Sequence, residues 1–71
     1  MKNKDYMQLW STNLMSNYSI PTITLVKAKG CVVQDADGKK YLDMLGGIAT
    51  SILGHAHPVV VSAVSRQIKT L

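Results

Sequence analysis

Residues that could do chemistry are few in this sequence, and most of them lie close together. Gly54-His55-Ala56-His57-Pro58 pairs two imidazoles at i and i+2, a spacing that can supply two metal ligands from a strand. No carboxylate or cysteine sits beside them in sequence to complete a coordination sphere, so no metal site is expected. Their expected role is structural, with ring N–H groups bonding backbone carbonyls at a turn and ahead of a helix. Gly46-Gly47 lacks both the Gly-x-Gly-x-x-Gly spacing and the Walker lysine of a phosphate cradle. Asp35, Asp37 and Asp43 could hold a cation, but the first two belong to a turn signal, where aspartate is favoured for its own hydrogen bonds to nearby N–H groups. Ser, His and Asp all occur without any spacing that marks a catalytic triad, and no catalytic residue is assigned.

The elements that must position these residues follow from periodicity. Met7, Trp10, Leu14 and Tyr18 recur at helical spacing, which predicts a docking helix from about Lys4 to Tyr18 with Trp10 as its packing anchor. Ile20-Pro21 is expected to break it, because proline offers no N–H and biases its predecessor toward extended backbone. From Thr22 to Asp43 the pattern is β. The Asp35-Ala36-Asp37-Gly38 run between apolar segments predicts a hairpin. Strands are expected near 31–35 and 39–43, with a shorter one near 24–27. Met44 to Gly54 is too short and too broken by glycine for a stable helix. Pro58 suits the first position of a final helix whose apolar stripe is Val60, Val61, Val64, Ile68 and Leu71. The expected helix runs to Leu71, and the sequence reads as the front of a longer chain.

Composition bounds the rest. A 71-residue chain buries only about 60% of its unfolded surface. The single Cys31 allows no internal disulfide and suits a reducing compartment. Hydrophobic residues make up 46% of the chain, more than so short a fold can cover, so the segment is expected to pack against something beyond itself. Eight Lys and Arg oppose four Asp, but they are scattered, with no basic block for nucleic acid or a membrane surface. Asp5 and the polar residues of the first segment exclude a signal peptide, which points to the cytoplasm.

The ordered series goes further than any of its parts. Gly30 to Asp43 with its Asp-x-Asp-Gly hairpin and Tyr41-Leu42-Asp43, then Gly46-Gly47-Ile48-Ala49, then Gly54-His55-Ala56-His57-Pro58 and an amphipathic helix bearing Gln67, resembles the N-terminal signature of class III aminotransferases. Asn17-Tyr18 and Pro21 resemble the family's lead-in to its first strand. The resemblance implies an α+β fold: helix, short antiparallel sheet and helix from the small domain of a fold-type I transferase. Residues 1–71 would be the N-terminal part of that domain, with the large cofactor-binding domain absent from this chain. It also implies pyridoxal phosphate as cofactor, bonded by a lysine that lies far downstream in the family, so no cofactor-binding residue is assigned here.

Gly46-Gly47-Ile48-Ala49 is most similar to the acetylornithine type, which implies transfer of an amino group from N2-acetylornithine to 2-oxoglutarate in arginine biosynthesis by a homodimer. Ornithine and 4-aminobutyrate aminotransferases of the same class stay open as alternatives, as do a non-catalytic remnant and a small interaction module. Two substrate-binding residues follow from the resemblance alone: Tyr18, reaching toward the substrate, and Ile48, on the pocket wall. On the residues alone, Tyr18 is equally a packed tyrosine at a helix end, and Ile48 a core residue.

Overall fold

The computed structural model describes residues 1–71. The elements, in chain order, are α1 (Asn3–Asn13), β1 (Leu25–Lys29), β2 (Val32–Asp35), β3 (Lys40–Leu42), α2 (Gly46–Ala49) and α3 (Pro58–Gln67). The strands form an antiparallel meander in the order β1-β2-β3. Leu25 pairs with Asp35 and Lys29 with Val32, with a bulge between Leu25 and Lys27. Val32 faces Leu42 and Gln34 faces Lys40. The expected hairpin and all three expected strands are therefore present. Gly38 takes φ 90° in the turn, a backbone angle that glycine adopts freely.

α1 is shorter than the apolar stripe predicts. It stops at Asn13, and Leu14 is already extended at φ −114°, ψ 152°. The cause is the Ser11-Thr12-Asn13 run. Ser11 Oγ and Thr12 Oγ1 donate to the Gln8 carbonyl, and Asn13 Nδ2 donates to the Leu9 carbonyl. Such residues bond nearby backbone and weaken helix interiors. Leu14 and Tyr18 consequently leave the helical face, and the break comes well before Pro21.

The docking of α1 also differs from a tryptophan-anchored face. Asn3, 8% exposed, is the only buried residue of the helix. Its Nδ2 donates to Asp35 Oδ2 at 3.1 Å and to Asp37 Oδ2 at 3.3 Å, and its Oδ1 accepts from Thr24 N at 2.9 Å. Its backbone N–H, one of the orphan donors of a helix start, bonds Asp37 Oδ1 at 2.9 Å. Trp10 is half-buried and lines an apolar groove of about 480 Å³ with Tyr6, Leu9, Leu14, Pro21 and Ile23.

Little apolar surface is covered. Val33 is the one buried hydrophobic residue, at 6% exposure. The chain exposes 6100 Å², against about 4,400 Å² for a compact monomer of this mass. Its radius of gyration, 14.9 Å, exceeds the roughly 11 Å of a compact chain of this length. α3 begins at Pro58 as expected but ends at Gln67, with Thr70 N and Leu71 N turning back onto the Gln67 carbonyl. None of its residues is buried. No helix is long and apolar enough to cross a membrane.

One long-range backbone contact ties the sheet to the segment before α3. Gly30 and His55 form an antiparallel bridge, Gly30 N to His55 O at 2.9 Å and His55 N to Gly30 O at 2.8 Å. Gly54 makes that approach possible: a Cβ on it would meet Gly30 Cα at 3.0 Å, and its φ is +83°. Gly30 also has positive φ, +59°, but open space where a Cβ would stand. Gly30→Ala should therefore cost only the backbone penalty, about 1–2 kcal/mol. Gly54→Ala should cost clearly more and lower the denaturation midpoint further; equal losses in side-by-side chemical denaturation would show that the close approach does not matter.

Candidate functional site

The segment from Asp43 to Pro58 gathers most of the residues singled out above, and it is built around one carboxylate. Asp43 leaves β3 with its N–H bonded to the Cys31 carbonyl at 2.8 Å. Its Oδ1 accepts from Leu45 N and Gly46 N, both at 2.9 Å. Its Oδ2 meets His55 Nε2 at 2.5 Å. Both groups are largely shielded, at 28% side-chain exposure for His55 and 15% for Asp43. The expected imidazole-to-carbonyl bonds do not form. His55 bonds a carboxylate twelve residues away, and His57 caps α3, its Nδ1 accepting from Val59 N at 3.3 Å. No group of three or more His, Cys, Asp or Glu comes together.

Hydrogen bonding holds the Asp43 carboxyl down at about 2, first through the Gly46 N–H, then His55, then the Leu45 N–H. In the Asp35 cluster burial pushes the carboxyl up, but donors from Tyr41, Asn3, Lys39 N and Asp37 N outweigh it and leave Asp35 below the ordinary range. Tyr41 is raised, chiefly because its hydroxyl donates to Asp35, at 2.8 Å.

What Asp43 begins is a left-handed turn. Gly46, Gly47, Ile48 and Ala49 have φ of 62°, 63°, 61° and 62°. Ala49 N bonds Leu45 O at 3.1 Å and Thr50 N bonds Gly46 O at 2.9 Å, so α2 has helical hydrogen bonds with reversed hand. Two glycines take that hand without penalty. Ile48 and Ala49 do not: each L residue in the left-handed region costs roughly 1–2 kcal/mol, and a β-branched one is a clear outlier. Thr50 Oγ1 donates to the Gly47 carbonyl at 2.9 Å and closes the turn. Strain of this kind persists only where surrounding bonds over-determine it.

Both residues that the family resemblance singles out are displayed outward. Ile48 is 79% exposed on the left-handed turn, and Tyr18 is 76% exposed in the segment after α1. Neither lines the Trp10 groove or the 360 Å³ hollow between Thr50–His57 and α3. The sequence reading missed the Asp43–His55 pair and the buried Asn3. The first had a signal, an Asp and a His flanking a glycine-rich loop; Asn3 had none. Every lysine is exposed.

Solved aminotransferases superpose on this chain along nearly its whole length, as a small part of a larger chain. Ornithine delta-aminotransferase of Plasmodium falciparum superposes with a TM-score of 0.91 at 31% identity, over 100% of this chain and 18% of that one. Acetylornithine aminotransferase of Elizabethkingia anophelis gives 0.90 at 30% identity, over 99% of this chain and 18% of that one. The fold is thus that of an aminotransferase segment. The sequence profile of the family described as Aminotransferase class-III matches residues 14–71, and the chain belongs to the class III aminotransferase family. The acetylornithine aminotransferase of Streptomyces coelicolor is 54% identical over 71 residues, which is 100% of this chain and 18% of that protein.

The depressed Asp43 carboxyl fixes a pH dependence. A carboxyl lowered on folding contributes stability above its unfolded value, ordinarily 3.8, and loses it as pH falls toward about 2. The Leu45 and Gly46 amide proton resonances should shift together with a midpoint near 2. A midpoint near 3.8 would mean that the three donors do not hold the carboxylate.

Proposed function

We propose that these residues are the start of an acetylornithine aminotransferase, which moves an amino group from N2-acetylornithine to 2-oxoglutarate with pyridoxal phosphate. The supporting observation is the 54% identity to the Streptomyces coelicolor enzyme along the whole chain. The chain spans 18% of that relative's length, so the activity belongs to a full-length enzyme that contains it. In that enzyme residues 1–71 form the N-terminal part of the small domain, and the cofactor is held by the large domain. The protein acts as a homodimer in the cytoplasm, in arginine biosynthesis.

Within this reading Ile48 and Tyr18 contact the substrate. Both are large side chains left uncovered by the segment and free to meet groups outside it, an exposure they share with Met44 and Ile52. Ile48 bears on donor choice. Acetylation removes the charge of the α-amino group of ornithine and adds a methyl and a neutral amide. An aliphatic wall accepts that group without leaving a polar atom unpaired. A tyrosine there would offer a hydroxyl to a free amino group, and a hydrogen bond to a charged group contributes about 1.5–3 kcal/mol.

Two outcomes test the reading. In the full-length enzyme, Ile48→Tyr should lower kcat/KM for N-acetylornithine relative to ornithine by at least about tenfold, measured with 2-oxoglutarate as acceptor. A ratio that moves by less than about twofold would reduce Ile48 to packing and remove the physical support for the acetylated donor. The 71-residue chain mixed with pyridoxal phosphate should give no borohydride-trapped adduct at a single lysine. Stoichiometric labelling at one position would overturn the assignment of the cofactor to the large domain.

A further inference from the structure

The left-handed turn is displayed but not packed. None of the residues Gly46–Ala49 is buried, and Ile48 stands 79% exposed. Within these 71 residues the turn is held by hydrogen bonds at its ends. At the far end the side-chain bonds are local, from Thr50 Oγ1 to Gly47 O and more weakly to Gly46 O. They close the turn on itself but attach it to nothing else.

At the near end the attachment is long-range. Leu45 N and Gly46 N both donate to Asp43 Oδ1. That carboxylate is fixed from two directions. Its own backbone is bonded to Cys31 beside β2, and its second oxygen is gripped by His55. His55 is itself held by two backbone bonds to Gly30, at the end of β1. A chain of contacts thus runs from the sheet through Gly30, His55 and Asp43 to the first N–H groups of the turn. No other side chain bonds those N–H groups.

We propose that Asp43 and His55 are positioning residues for donor selection: the pair orients the left-handed turn that presents Ile48 to the substrate, without touching the substrate itself. The inference rests on the donor-wall reading of Ile48 given above. His55 acts through one donor atom. Without it the Asp43 carboxylate can rotate about its side-chain torsions, Oδ1 leaves the Leu45 and Gly46 N–H groups, and the strained φ values of Ile48 and Ala49 relax. The wall then moves while the catalytic machinery, carried by other parts of the enzyme, is left in place.

The test uses the full-length holoenzyme. His55→Leu keeps the volume and removes the donor. His55→Gln restores an amide N–H close to the position of Nε2. His55→Leu should lower the ratio of kcat/KM for N-acetylornithine over ornithine by at least about fivefold, mostly through KM for the acetylated donor. Amide exchange of the peptide covering residues 45–51, followed by mass spectrometry, should speed up. His55→Gln should return both readouts to within about twofold of wild type.

A general loss of stability would lower both donors together and would not be rescued by glutamine. An unchanged donor ratio in His55→Leu, unchanged exchange at 45–51, or a His55→Gln variant as impaired as His55→Leu would overturn the proposal. Should His55→Leu not yield folded enzyme, Asp43→Asn, which preserves the shape and removes the charge, carries the same expectation and the same refutation. A wild-type enzyme with no preference for the acetylated donor would refute the reading of Ile48 instead, and the exchange comparison would still decide whether the pair holds the turn.

Discussion

Two aspartates do the organising that a hydrophobic core does in larger folds. Asp35 is 2% exposed, lower than Val33 at 6%, and its oxygens accept from Asn3 Nδ2, the Tyr41 hydroxyl and the N–H groups of Asp37 and Lys39. A buried carboxylate is costly unless its lone pairs are filled. The five-residue span Asp35–Lys39 can fill them only as a tight turn, and Tyr41 only from the paired strand. Charge satisfaction therefore closes the hairpin, fixes the register and clamps the start of α1 with one group.

Asp43 repeats the device at the other end of the sheet. There the donors are the next two useful N–H groups along the chain and one imidazole brought in by the Gly30–His55 bridge. The difference lies in what is held. Asp35 stabilises a turn that its own residues favour, Asp-Gly with glycine at positive φ. Asp43 stabilises a turn that half of its residues resist. Ile48 and Ala49 adopt the left-handed hand against their preference, and the bonds from Leu45 N and Gly46 N to Asp43 anchor the start of that turn.

Sequence made the locally determined parts legible. The Asp-Gly signal places the hairpin because the turn chemistry is contained within four residues, and Pro58 marks the start of α3 for the same reason. The end of α1 was not legible from the apolar stripe. Met7, Trp10, Leu14 and Tyr18 keep helical spacing, yet Ser11, Thr12 and Asn13 bond their own backbone and stop the helix. Asn3 was invisible because its value depends on Asp35 and Asp37, thirty-two and thirty-four residues away. The glycines at 46 and 47 announced an unusual backbone, but nothing in Ile48-Ala49 says that the hand continues through them. Tyr18 and Ile48 came into view through resemblance, and the structure adds that both are uncovered.

The uncovered surface has the same origin as the polar clamps. α3 and the residue that ends it present Val59, Val60, Val61, Val64 and Ile68 at 45% exposure or more. Valine restricts its own rotamers in a helix, so a ten-residue helix rich in it draws little stability from propensity. Packing must supply what propensity does not, and within these residues no side chain of α3 is buried. The proposed parent enzyme resolves the mismatch, since its other four-fifths can cover α3, the Trp10 groove and the Ile48 turn. The carboxylate networks then have a definite task. Within these residues they set strand register, helix entry and turn hand while the apolar faces stay uncovered.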